Sequence, residues 1–450
     1  MSFKVSTAKA KITPTLASNP YMGGYGVQAG LRVASSSTPY REPLYARCVV
    51  IWDDGNPNAI ISLDVLALPR SMHQALVPRL FALASWAKSD FVIQVTHTHN
   101  GPALVDELDP FIAYNLSDLT LIRSYSSWLE DQIVAVVKSA LSAARTSVTL
   151  DYSVTSMNFA YNRAGLPYAE TAVPVITARK SNGQPRAIIF SYGCHPVSAG
   201  YQNLFDGDWP AGACSAIEGS GTNIFALFLQ GPAGDQDPAG SRDWPLRDAL
   251  ADQMATAVIA TAGSPGRTLT SPIYTSYQEV QLPLDIITTP ANLAAVRASY
   301  VTRMANPEGQ PSWYQRHAQL AINKIDNGDT VTSVSNPSQV WKFGGSPGLS
   351  LALTGGELVS GYAVYFRGQF GGPANLIIGG YANEVCFYVP ANNFLPPLGP
   401  AFGSYEGGWD PDFPGIAGGN LTVYPQIAHF RAGSAGVEAA TINALTAQLS

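Results

Sequence analysis

Apolar and polar positions alternate with period two over residues 3–11, which predicts an opening strand. Two apolar runs, 45–53 (YARCVVIWD) and 59–66 (AIISLDVL), read as a strand pair joined by the turn DDGNPN. Residues 69–87 carry a helical pattern. The short run 90–96 (DFVIQVT) predicts a buried strand whose C-terminal end leads into His-Thr-His. Over 125–146 the spacing predicts an amphipathic helix, with Trp128, Ile133, Val137, Ala140 and Leu141 on one face. Strands follow at 149–158, 173–180, 186–192 and 222–229, and helices at 211–219 and 244–262. A helical pair spans 289–327, broken by NPEGQPS. The chain turns Gly-rich beyond 338, with strands expected at 375–380 and 385–390 and a last helix at 435–449. Strands and helices alternate without repeats. The expectation is an α/β fold with mixed sheets flanked by helices, as one unit over residues 1–450.

Composition narrows the function classes. Only 13% of the 450 residues are charged, against about 25% in ordinary soluble domains. With 41 Gly and 33 Pro the chain is loop-rich, unlike a helical bundle. Its net charge of −6 argues against nucleic acid as a partner, because such binding needs a basic footprint. No apolar run is long enough to predict a membrane span. The opening MSFKVSTAKAKITP has no apolar segment of the secretory kind, and the four cysteines form no CxxC pair. Free thiols and a cytoplasmic location are the expectation.

The candidate chemistry gathers on few residues. Two of the six histidines lie in Thr96-His97-Thr98-His99-Asn100-Gly101-Pro102, just past a predicted strand. Residues i and i+2 of an extended segment project to one side, so His97 and His99 can share a cavity. Neutral imidazole suits zinc, and one histidine of such a pair can move protons. The blander reading is two polar residues closing a strand. His195, in Gly193-Cys194-His195-Pro196, also follows an apolar run; alone it reads equally as a buried structural histidine. Cys194 beside it points the other way on an extended chain and reads as inert. The segment Gly234-Asp235-Gln236-Asp237-Pro238 is either a small-residue turn or a site rim. Gly344-Gly345-Ser346-Pro347-Gly348 matches the string of a nucleophile elbow. Pro347 stands where that elbow needs a backbone N–H, which argues against a catalytic serine. A metal-dependent amidohydrolase barrel would need eight β/α units, and the pattern shows no such alternation.

Taken in order, several segments resemble the neutral/alkaline (non-lysosomal) ceramidase family. They are Lys11-Ile12-Thr13-Pro14, Pro43-Leu44-Tyr45-Ala46-Arg47, the THTHNGP segment, Asn162-Arg163, Cys194-His195-Pro196 and Gly207-Asp208-Trp209-Pro210-Ala211-Gly212. Gly234–Pro238, Gly356-Glu357, Tyr381-Ala382-Asn383 through Tyr388, and Tyr405-Glu406-Gly407 complete the set. The resemblance spans roughly residues 5–410 and covers the family's catalytic domain, without its C-terminal sandwich.

The resemblance implies a zinc-dependent hydrolase of N-acyl amides. Matched motif by motif, the zinc ligands are His97, His195, Glu357 and Tyr388. His99 becomes the proton-handling partner, and Arg163 and Tyr405 support the scissile carbonyl oxygen. The chain departs from the family at Asp237, which stands in place of a serine at the substrate. An unpaired carboxylate there would be costly to desolvate against a lipid amide. A substrate more polar than ceramide is therefore expected. Asp237 could equally orient the attacking water. Two alternatives stay open: a zinc esterase or lactonase with the same centre, and a non-catalytic ligand-binding member. The sequence does not fix the oligomeric state.

Overall fold

The computed structural model describes residues 3–25, 32–35, 39–107, 118–305, 312–409 and 426–450. Strand β1 (Phe3–Lys11) and the two-residue strands β2 (Tyr21–Met22) and β3 (Arg32–Val33) precede the hairpin of β4 (Tyr45–Asp53) and β5 (Asn56–Leu63). That hairpin closes on Asp54-Gly55 alone, with φ of 47° and 90°. Asp-Gly favours this two-residue turn because its twist matches paired strands. The turn is thus shorter than the predicted DDGNPN; Asn56, Pro57 and Asn58 pair with β4 although Asn and Pro are poor strand formers. Helix α1 (Arg70–Phe81) is shorter than predicted and carries Pro78, which has no N–H to donate, near its end.

Next come β6 (Phe91–Val95), α2 (Thr120–Ser142), β7 (Thr146–Ser156), β8 (Ala160–Asn162), β9 (Ala172–Arg179) and β10 (Pro185–Tyr192). Then follow α3 (Asp208–Gly219), β11 (Phe225–Gln230), β12 (Gln236–Pro238), α4 (Trp244–Ala262), β13 (Arg267–Pro283), α5 (Pro290–Met304) and α6 (Ser312–Asp326). The chain ends with β14 (Ser333–Gly344), β15 (Leu349–Thr354), β16 (Glu357–Leu358), α7 (Gly361–Gln369), β17 (Leu376–Gly379), β18 (Tyr388–Val389) and α8 (Val437–Leu449). The sequence pattern does not predict β13, β14, β15 or α7. Along β13 most side chains are only partly buried, so period two is weak, and β14 contains Pro337. Residues 344–349 simply join antiparallel β14 and β15, which is not the strand-to-helix turn of a nucleophile elbow.

Twelve strands form one mixed sheet. Its main path runs β17-β15-β14-β13-β7-β1-β4-β5-β6, and β9, β10 and β11 continue from β7 as a branch. Val5, Ile60, Ile189, Leu227, Leu351 and their neighbours form a core drawn almost wholly from strands. Helices α3 and α4 cover β9–β11 through Trp209, Ile217, Leu250 and Met254. The other helices join a second outer core with β4–β6. The fold is α/β, a large mixed sheet flanked by helices, as expected. No helix among the described residues is long and apolar enough to cross a membrane.

Helix α2 buries Ile122, Tyr125, Leu129, Ile133, Val136, Val137 and Ala140. Trp128 is 40% exposed and lies against the Tyr125 ring at 5.5 Å, so it does not share the core face. The buried stripe follows Leu129, one residue on and about 100° round the helix. Leu129→Ala should therefore cost about 2–5 kcal/mol, and Trp128→Ala under about 1 kcal/mol. Urea denaturation midpoints of the two variants check this.

Candidate metal centre

Three parallel strand pairs bring their C-terminal ends together, the usual place for a ligand crevice in such sheets. The pairs are β5/β6, β10/β11 and β15/β17. His97 follows β6, His195 follows β10 and Glu357 follows β15. Each histidine is anchored by the neighbouring strand of its own pair. His97 Nδ1 donates to the carbonyl of Leu66, just past β5, at 2.7 Å. His195 Nδ1 donates to the carbonyl of Ala233, just past β11, at 2.6 Å. These bonds fix the tautomer and leave each Nε2 with its lone pair.

The two lone pairs converge on one carboxylate oxygen. Glu357 Oε2 lies 3.2 Å from His97 Nε2 and 3.2 Å from His195 Nε2. All three residues are buried, and His195 Nε2 has no hydrogen-bond partner. Burial opposes the Glu357 charge, and only positive charge on the His97 and His195 side of the contact holds the carboxyl well below its usual range. Lone pairs aimed at a carboxylate are bridged only by a proton or a metal cation. Neutral imidazoles with a carboxylate are a donor set that suits zinc. His99 Nε2 stands 3.3 Å from His97 Nε2. The ring nitrogens of His97, His99 and His195 lie within 4.8 Å of one another and could hold a metal ion. Loss of water around His99, with His97 and His195 nearby, pushes its pKa well below the usual imidazole value.

Local backbone conformation places these groups. His97 has φ 67°, which turns its ring back toward β5. Arg32 donates to the carbonyls of His99 and Gly23 and to Asn100 Oδ1. Gly24 packs so tightly on this loop that a Cβ would lie 2.5 Å from His99 Cα. The carbonyl of Pro196 accepts from the His99 N–H, tying the two histidine loops together.

A second tier of charges surrounds Arg163. Its guanidinium donates to Glu406 Oε1 at 2.9 Å, Gly234 O at 2.8 Å, Tyr388 Oη at 3.2 Å and Asp237 Oδ1 at 3.4 Å. Tyr388 pairs with Glu357 across the parallel strands β16 and β18, so both side chains project to the same side. The other oxygen of Asp237 accepts from Arg242 at 2.5 Å, and its Oδ1 lies 3.7 Å from His195 Nδ1. Burial works against the Asp237 charge; Arg163, His195 and Arg242 overcome it and lower its pKa. The carboxylate is therefore ionised and compensated, not unpaired as the sequence reading supposes. Outward from Arg163 opens a cleft of about 680 Å³, walled by Leu166, Phe394, Phe402 and Tyr405. Tyr405 is 46% exposed and can meet a ligand there.

No family model matches the chain, and no curated protein matches it. Among solved structures it is similar to neutral ceramidase from Pseudomonas aeruginosa, with a TM-score of 0.63 and 18% identity. That match covers 87% of this chain and 69% of the other. A ceramidase complexed with C2 gives a TM-score of 0.64 at 17% identity, over 87% of this chain and 70% of the other.

The chain has a ceramidase-like fold.

Within the ceramidase-like fold, the sequence-derived residues fall into two groups. His97, His99, His195 and Glu357 meet around one point. Arg163, Asp237, Tyr388 and Tyr405 form the adjoining tier, joined through the Arg163 guanidinium and the contact of the Tyr388 and Tyr405 rings. Sequence reasoning gave no role to Tyr381, Glu406 or Arg242. Tyr381 and Glu406 sit inside quoted motifs, but no spacing rule distinguishes them; Arg242 lies in an unremarkable loop. If the ligand set is His97, His195, Glu357 and Tyr388, then His97→Ala and His195→Ala should each lose bound divalent metal. His99→Ala should keep it. Elemental analysis of the purified variants after metal loading checks this, and metal loss in His99→Ala would make His99 a ligand.

Proposed function

We propose that the chain is a zinc-dependent hydrolase that cleaves the amide of an N-acyl amine. The observation that carries this reading is the meeting of His97 Nε2, His195 Nε2 and Glu357 Oε2, each 3.2 Å apart along the carboxylate contacts. The ceramidase-like fold is the second support. His97, His195, Glu357 and Tyr388 would hold the ion. A bound zinc supplies a Lewis acid and lowers the pKa of water to about 7.

The chain's own residues supply the rest. His99, kept neutral by its surroundings, accepts the proton of the attacking water and returns it to the leaving amine. Tyr405, which lines the cleft, stabilises the developing charge on the carbonyl oxygen. Arg163 has its four hydrogen bonds within the protein, so its part is to hold Tyr388 and fix the positive charge beside the reacting carbonyl. Asp237 acts through Arg163. The substrate is an amide more polar than ceramide, because the cleft lining includes the charged pair Arg163 and Glu406 beside its apolar wall.

Removing the metal with a chelator should abolish amide hydrolysis, and zinc should restore it. His99→Ala should lower kcat about 10²–10⁴-fold, the usual weight of a proton-transfer group. Asp237→Ser should lower kcat on N-acyl amines generally, because it removes the carboxylate that holds Arg163 in place. Hydrolysis that survives exhaustive chelation would end the zinc reading. Efficient ceramide turnover by the unmodified chain would end the substrate reading alone.

A further inference from the structure

The third parallel strand pair repeats the arrangement of the first two. His97 and His195 each take their orientation from a group just past the neighbouring strand, Leu66 and Ala233. Glu357 follows β15, and β15 pairs in parallel with β17. Just past β17 stands Tyr381, whose hydroxyl donates to Glu357 Oε2 at 3.3 Å. This is the same oxygen that faces both histidine nitrogens.

The backbone around Tyr381 is held from both sides. Its N–H donates to the carbonyl of Gly356 at 2.8 Å, and its carbonyl accepts from Val95 at 3.2 Å. Gln94 Nε2 donates to Gly380 O at 2.6 Å, and Asn383 Oδ1 accepts from the Ile93 N–H at 3.2 Å. Tyr381 adopts φ 61°, a conformation that bulky L residues seldom take. Such conformations persist only where surrounding contacts over-determine them. Here they turn a fully buried ring inward, with its centroid 4.7 Å from that of His97 and 6.5 Å from that of His195.

Resting on the zinc reading, we propose that Tyr381 is a positioning residue of the metal centre: its hydroxyl orients the Glu357 carboxylate while its ring backs His97. A metal-binding carboxylate needs such a partner, since an unanchored one samples rotamers that withdraw it from the ion. Phenylalanine would keep the packing on His97 and lose only the hydroxyl. The test therefore compares Tyr381→Phe with the unmodified chain and with His97→Ala. Zinc affinity is read by competition with a chromophoric chelator, and the ligand field by the visible bands of cobalt(II)-loaded protein.

Tyr381→Phe should bind zinc about 10–100-fold more weakly, as loss of an outer-shell partner does. Its cobalt bands should shift, and its metal-free melting temperature should match that of the unmodified chain. Zinc affinity within about twofold of the unmodified chain, with unchanged cobalt bands, overturns the role. A weaker affinity accompanied by a collapse of the metal-free melting temperature also overturns it, because the hydroxyl would then serve the fold. If His97→Ala loses zinc while Tyr381→Phe does not, this proposal alone falls. If the unmodified chain holds no zinc, the metal reading falls and takes this proposal with it.

Discussion

The site depends on two hydrogen bonds that fix imidazole tautomers. Leu66 and Ala233 offer carbonyls to His97 and His195, and each Nδ1–H is thereby used. Only then do both Nε2 atoms carry lone pairs into the interior. A proton on either Nε2 would turn an acceptor pair into a donor facing Glu357 and remove the ground for a cation. The carbonyls come from segments just past strands already paired in parallel with those that lead to the histidines. Sheet register therefore sets the tautomers. A slip of one residue in β5/β6 or β10/β11 would send the ring or its anchor to the opposite face.

This geometry is kept at a local conformational cost. His97, Tyr381 and Asn383 all have positive φ and lie where the chain leaves β6 and β17. Strain of this kind clusters at functional sites because a sharp reversal at a strand end aims a side chain that a smooth exit would not. The loop of His97 and His99 is gripped by Arg32 from one side and capped by Gly24 from the other. The histidine loop is thus held from two sides. The cleft beyond Arg163 is more open, with Phe402 82% exposed at its rim.

Charge is organised as an alternating array outward from the centre. Glu357 faces His97 and His195, Asp237 lies between Arg163 and Arg242, and Glu406 balances Arg163 again. Buried ions persist only when paired in this way, since an isolated one would neutralise. Asp237 shows what the pairing changes. Read alone, the acidic residue suggests an unpaired charge; with both oxygens engaged by guanidinium groups, it instead fixes the position of Arg163.

The sequence by itself determined the elements with strong local signals. Periodicity marks β1 and α2 because each has one buried face, and an apolar run marks β6 because both of its faces are buried. His97 and His99 were legible because two histidines at i and i+2 past an apolar run are rare in a chain with only six. Glu357, Tyr388, Arg163 and Tyr405 were legible only through ordered resemblance, since no local spacing links them. Tertiary structure alone decided that β13–β15 complete the sheet: β13 is mostly partly buried and so carries little periodicity, while β14 and β15 are buried on both faces and do not alternate. It alone set the phase of α2, where a large exposed Trp128 outweighs its neighbours in any sequence pattern. It alone paired Asp237 with two arginines and set Tyr381 against Glu357, 24 residues away along the chain. Partners of this kind meet only when separate strand ends are brought together by the sheet, and no periodicity within one segment can encode that contact.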